Sequence, residues 1–103
     1  ILECEAGISY EGMIAVGTVI MNRVGSAKFP NTIEEVIYQS GQFSPVRSGK
    51  LDEVLQRGPM DSAYKAAKAV LGGERNSKVR KCLFFWASYT GHKGIIVGDN
   101  VFW

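Results

Sequence analysis

The groups in this 103-residue chain that point most directly to acid–base or nucleophilic chemistry are ten acidic side chains, one histidine and two cysteines. Most of the acids have a simpler duty. Glu34, Glu35, Asp52, Glu53 and Asp61 stand at or near predicted helix starts, where negative charge complements the free N–H groups of the first turn. Glu11 also falls in a first turn, and its position favours a helix-start acid or a structural hydrogen-bond acceptor. Glu3 and Glu5 are two apart, so on a helix they point to different sides and cannot act as a pair. Glu5 closely precedes Gly7, a helix-ending glycine, and lies near unsatisfied backbone carbonyls with partial negative charge. That field, with any burial, disfavours the carboxylate and raises its pKa. A carboxyl group so tuned can protonate a leaving oxygen. A solvated glutamate at a helix end is the competing reading, and the residues alone leave both open.

The remaining reactive groups offer less. His92 is the only histidine, set in a glycine-flanked turn with no nucleophile or acid arranged around it in sequence. A multi-residue relay is therefore disfavoured, and a chemistry that works with one carboxyl group fits better. Cys4 and Cys82 are far apart, and no CxxC or His/Cys spacing suggests a metal site. They read as buried free thiols, with a disulfide as the alternative in an oxidising compartment. No cofactor and no metal are expected.

The elements that must position Glu5 follow from pattern. Residues 1–6 read as the last turns of a helix closed by Gly7. Ser9 is the predicted N-cap of a helix from Tyr10 to Val24, apolar on nearly every side through Met13, Ile14, Ala15, Val16, Val19, Ile20 and Met21. Such a helix belongs in the middle of a domain. Gly12 and Gly17 within it cost about 1 kcal/mol each against Ala, so close approach of another element is expected at both. Asn31 and Glu34 have capping-box spacing ahead of an apolar face of Ile33, Val36 and Ile37. Residues 40–49 read as loop, and Leu51, Val54 and Leu55 as a short helix stopped at Gly58-Pro59. Met60, Ala63, Tyr64, Ala67, Val70 and Leu71 form the apolar face of an amphipathic helix ended by Gly72-Gly73. Cys82 to Trp86 reads as a strand, and residues 95–97 and 101–103 as one or two returning strands. The predicted class is α+β, mostly α: one domain over residues 1–103 with a small C-terminal antiparallel sheet.

Composition narrows the partners. With 46% hydrophobic and 21% charged residues the chain is that of a globular domain. No apolar run reaches the roughly 18–20 residues that span a bilayer. The net charge of +2 is mild, without the dense basic stripe of a nucleic-acid binder. It permits attraction to an anionic polymer without demanding it. The start shows no initiator Met and no export-signal pattern, which reads as an N-terminally trimmed domain. Two segments are suited to ligand contacts. Gln42-Phe43-Ser44 lies in a Gly/Pro-punctuated loop. In the run Phe84-Phe85-Trp86, with Tyr89 and Trp103, most rings are expected in the core and the others are free to stack on sugar rings.

The words Glu5-Ala6-Gly7, Ser9-Tyr10-Glu11-Gly12, Ala15-Val16 and Asn22-Arg23-Val24 are followed by Phe29-Pro30-Asn31-Thr32-Ile33, Val36-Ile37-Tyr38 and Gly41-Gln42-Phe43-Ser44. Then come Ala66-Ala67, Val70-Leu71-Gly72-Gly73, Leu83-Phe84-Phe85 and Val101-Phe102-Trp103. In this order, over essentially the whole chain, they resemble the spore cortex-lytic cell-wall hydrolase family (SleB/CwlJ type). The resemblance implies a lysozyme-like, mostly α fold that cuts the glycan strands of peptidoglycan at the bond between N-acetylmuramic acid and N-acetylglucosamine. The family's catalytic glutamate falls on Glu5, which acts as acid and then as base in a lytic transglycosylase, closing a 1,6-anhydro ring. Gln42, Phe43, Ser44, Phe85 and Tyr89 are then expected to line the substrate cleft, with Glu11 as a polar support. The implied setting is extracytoplasmic, in cell wall or spore cortex. The implied protein is a monomer that binds glycan strands but no nucleic acid, spans no membrane, and leaves room for a regulatory protein partner.

Two departures stand out. The segment between Glu5 and Tyr10 is one residue shorter than the family's pattern. The C-terminal word Gly-x-His-x-Phe-Tyr reads Gly98-Asp99-Asn100-Val101-Phe102-Trp103, without the histidine, and the tract before it diverges. Plain hydrolysis, and a non-catalytic wall-binding or partner-binding module on the same fold, therefore stand as alternatives.

Overall fold

The residues of the long apolar run set the axis of the molecule. The computed structural model describes residues 1–103 and places α2 at Tyr10–Val24, with Gly12 to Ile20 buried without interruption. Ser9 caps it, its hydroxyl accepting the Gly12 N–H at 3.0 Å, and so satisfies one orphan donor of the first turn. Around α2 stand α1 (Leu2–Ala6), α3 (Ile33–Tyr38) and α6 (Asp61–Leu71), while α4 (Ser44–Ser48) and α5 (Lys50–Arg57) pack on each other. Met13, Val16 and Val19 are fully buried beneath these neighbours, each worth about 1.5–3 kcal/mol of transfer free energy. No helix is long and apolar enough to cross a membrane.

The C-terminal strands are β1 (Phe85–Ala87), β2 (Ile95–Val97) and β3 (Asn100–Phe102). They form one antiparallel sheet in the order β1-β3-β2. Phe85 and Ile95 both lie opposite Phe102. The end of α2 stitches the chain into this sheet. Asn22 Nδ2 donates to the carbonyls of Arg80 and Cys82 at 2.9 and 2.8 Å, and Arg23 Nε donates to the Leu83 carbonyl at 2.8 Å. The lead-in to β1 therefore cannot drift from the helix.

Four expectations shift. The cap of α3 is Thr32, one residue after Asn31: its hydroxyl accepts the Glu35 N–H and donates to the Glu35 carboxylate at 2.7 Å, so the spacing of a capping box is kept while the glutamate bonds the cap's hydroxyl instead of its backbone N–H. Residues 44–48, read as loop, form α4 with Pro45 in its first turn. A five-residue helix shows no apolar period, and proline there starts a helix rather than breaking one. The strand expected from Cys82 begins at Phe85 instead. The Cys82 N–H closes a turn onto Val79, and the N–H groups of Leu83 and Phe84 share the Trp103 carbonyl before a regular ladder can start. In α6 the buried face is Ala63, Ala66 and Val70, with Tyr64 and Leu71 exposed.

The small residues on that α6 face let it press close to α2. A Cβ on Gly17 would lie 2.8 Å from Val70 Cγ2, which is the expected close approach. At Gly12 the obstacle is the cap itself, Ser9 Oγ at 3.0 Å. Gly17→Ala should thus destabilise the domain by about 1–3 kcal/mol through overpacking, despite alanine's higher helix propensity. Chemical denaturation of Gly17→Ala, Val70→Ala and the double variant checks this, with a double-variant loss smaller than the sum of the single losses.

Candidate active-site cleft

Glu5 sits on a helix of only five residues, so packing and side-chain bonds must hold what length does not. Leu2 and Ala6 are buried against the core. On one side, the Glu3 carboxylate accepts the Met60 N–H at 2.8 Å and pairs with Arg57. At the other end, buried Asn100 in β3 donates its Nδ2–H to the Glu5 carbonyl at 2.9 Å, satisfying an acceptor that the helix end leaves open. Gly7, at φ +62°, then turns the chain toward α2.

The two glutamates point to different sides, as their spacing requires, and their surroundings drive them apart electrically. The hydrogen bond from the Met60 N–H, helped by the Arg57 guanidinium and opposed by desolvation, holds the Glu3 carboxyl below the usual range. Glu5 has no ion pair, and burial pushes its carboxyl up. The shift was expected from the helix end together with burial; desolvation is its chief cause.

In front of Glu5 lies an open cleft of about 460 Å³, enclosed by α1, the segment around α4, the end of α2 and the sheet. Gln42, Ser44, Phe85 and Tyr89 line it together with Glu5. Two of the expected residues are elsewhere. Phe43 is buried in the core at 3% exposure, its ring 6.0 Å from that of Phe85, which it backs from below. Glu11 lies in a separate surface groove beside Lys78, 3.7 Å from its ammonium. His92 is outside the cleft, its ring stacked 3.7 Å from that of Trp103. Both cysteines are free, Cys82 buried and Cys4 half-buried at the cleft wall, and burial pushes both thiols up.

Among the cleft residues that the sequence reading did not assign to the site are Arg23, Arg47 and Asn100, and Trp86, which it had only grouped with the aromatic run. A lone arginine near the end of an otherwise apolar helix was the available signal for Arg23. Trp86 alternates with Phe85 along β1, so one ring had to face outward, and it is 59% exposed. A second groove, between α1, α2, α3 and α6, is lined by apolar side chains and holds no titratable one, so it offers no acid–base chemistry. What the cleft can do chemically is deliver a proton from one carboxyl group to a bound molecule, beside exposed aromatic faces and amide donors.

Because Glu5 keeps its proton longer when folded than unfolded, the folded chain binds more protons between the ordinary carboxylate pKa and the raised one, and stability falls as pH rises through that window. Glu5→Gln abolishes this loss. Thermal melts across pH should show the variant level with the native chain on the acid side of the window and more stable on its alkaline side.

A family model described as Cell Wall Hydrolase matches residues 7–101, beginning two positions after Glu5. The chain is 39% identical over 67 residues to a spore cortex-lytic enzyme of Bacillus cereus and 37% identical over 67 residues to one of Oceanobacillus iheyensis. These matches cover 65% of this chain but only 24% and 23% of those relatives. Among solved structures, the catalytic domain of the germination-specific lytic transglycosylase SleB from Bacillus anthracis superposes with a TM-score of 0.79 at 28% identity, over 98% of this chain and 85% of that one. The catalytic domain of the Bacillus cereus SleB protein gives 0.76 at 27% identity, over 98% and 81%. The fold is that of the SleB catalytic domains, and the chain belongs to the cell wall hydrolase family.

Proposed function

We propose that this chain cleaves the glycan strands of peptidoglycan as a lytic transglycosylase, outside the membrane in cell wall or spore cortex. Glu5 serves first as acid and then as base. The observation that carries the reading is the solitude of Glu5: it is the only carboxyl group lining the cleft, it has no ion pair, and burial favours its protonated form. The names of the relatives, spore cortex-lytic enzyme and germination-specific lytic transglycosylase, agree with that substrate class.

The chemistry follows from having one carboxyl group. Protonated Glu5 donates to the glycosidic oxygen between N-acetylmuramic acid and N-acetylglucosamine, and the bond breaks as positive charge grows at the muramic C1. The resulting Glu5 carboxylate then accepts the proton of the muramic C6 hydroxyl, whose oxygen closes on C1 as a 1,6-anhydro ring. Glu5 ends protonated again by the C6 hydroxyl's proton, while its first proton leaves on the new hydroxyl of the departing N-acetylglucosamine. Inverting and retaining glycosidases commonly need a second carboxylate as base or nucleophile, and the cleft supplies none, which favours the intramolecular route over hydrolysis. The exposed ring of Trp86 and the side chains of Gln42, Ser44, Phe85 and Tyr89 serve as contacts for sugar rings and hydroxyls.

Glu5→Gln should lower release of soluble fragments from purified peptidoglycan about 10²–10⁴-fold, with native products carrying anhydromuramic ends by mass spectrometry. The native rate should fall as pH rises through the raised Glu5 pKa, since the acid form starts the reaction. Undiminished release by the variant would overturn the role of Glu5, reducing muramic ends would replace transglycosylation with hydrolysis, and wall binding by a native chain without any release would make it a binding module.

A further inference from the structure

The charge of the cleft does not suit a neutral sugar chain. Arg23 and Arg47 both line it, and Glu5 is its only acid. When Glu5 holds its proton, as the first step requires, the lining contains two arginines and no negative charge to balance them. Neither arginine has an ion pair, for the chain's ion pairs, Arg57–Glu3 and Lys78–Glu11, lie elsewhere. This is a local feature, since the whole chain carries a net charge of only +2.

Arg23 is the telling member because it is only 4% exposed. A guanidinium that far from water is costly unless it is paired and hydrogen-bonded. Its Nε donates to the Leu83 carbonyl at 2.8 Å and one Nη to Gln42 Oε1 at 3.2 Å. The rings of Phe29, Phe43 and Phe84 lie 4.8, 5.4 and 5.7 Å from its guanidinium carbon. These contacts orient the group and offer it π faces, but none carries a negative charge. Of the five N–H donors of a guanidinium, two are taken by these bonds. The bond to Arg23 also fixes the Gln42 amide, so that its NH2 is turned away from Arg23 as a further donor.

We propose that Arg23 and Arg47 form a carboxylate-binding subsite, and that the preferred glycan bears a carboxylate near the scissile sugar. The inference rests on the glycan-cleaving reading above and names the substrate feature that the same cleft selects. A carboxylate matches the planar fork of a guanidinium, whereas hydroxyl and acetamide groups leave the buried charge unbalanced. In peptidoglycan two sources present this group close to the glycan: the lactyl side chain of an unsubstituted muramic residue, and the carboxylates of an attached stem peptide.

Binding is measured by calorimetry in the Glu5→Gln variant, so turnover does not intrude. Five oligomers of equal length serve as probes: a neutral N-acetylglucosamine chain, a muramic-containing chain with free lactyl carboxylates, the same chain with stem peptides, and both muramic chains with their carboxylates converted to amides. A carboxylated chain should bind about 10-fold tighter than its amidated counterpart, with the preference shrinking as salt rises and lost in Glu5→Gln combined with Arg47→Gln, a change at an exposed side chain. A preference for the free lactyl form assigns the subsite to the sugar, and one for the stem-bearing form assigns it to the peptide. Equal affinity for charged and amidated chains, or a preference undiminished by Arg47→Gln, overturns the proposal. Either failure is separate from the glycan-cleaving reading, which falls only if the native chain releases no fragments from any wall.

Discussion

A helix with no wet face must be covered from every side, and α2 imposes that demand on the whole domain. Its sides are closed by α1, α3, α6, the turn at Ser77–Val79 and the sheet. One of these contacts, Gly17 against Val70, is close enough that a Cβ on Gly17 would lie 2.8 Å from Val70 Cγ2. Once α2 is enclosed, the polar groups at its C-terminal end have few places to go. Asn22 and Arg23 bond to the carbonyls of residues 80, 82 and 83, which brings the sheet to the end of the helix. The cleft is the gap left between that sheet and the short helices α1 and α4.

Within that frame, α1 is too short to hold itself, and its two glutamates divide the work. Glu3 is given hydrogen-bond donors and a cation, stays ionised, and anchors the turn to the start of α6 and the end of α5. Glu5 is given neither and faces the cleft. Two residues along one turn of helix thus separate a structural carboxylate from a carboxylic acid, with opposite pKa shifts set by hydrogen bonding on one side and desolvation on the other. Asn100 joins this arrangement from the sheet, so the acid is held from both halves of the domain.

Much of the frame was legible in the chain itself. Ser9 as the cap of α2, the bounds Tyr10–Val24, and the all-round burial of that helix follow from local chemistry and a strong apolar period. The opposed directions of Glu3 and Glu5 follow from helical spacing. What stayed hidden depended on tertiary context or on too few residues to show a pattern. The one-turn α4 has no period to read, and Phe43, inside a loop-like word, turned inward because the sheet supplied Phe85 as its neighbour. Glu11 shares a motif-rich segment with Glu5, yet the close of α1 and the turn at Gly7 send it to another face. The cleft roles of Arg23 and Asn100 rest on partners about 60 and 95 positions away, which no local pattern specifies.

Catalysis from this cleft requires that the fold keep Glu5 protonated where an ordinary glutamate has ionised. Carbon-13 titration of the side-chain carboxyl groups in the native chain addresses it directly, with Glu3 as the internal reference. The Glu5 midpoint should lie above the ordinary glutamate value and that of Glu3 below it. A Glu5 midpoint at or below that of Glu3 would contradict the account, since the cleft would then hold a carboxylate with no proton to give.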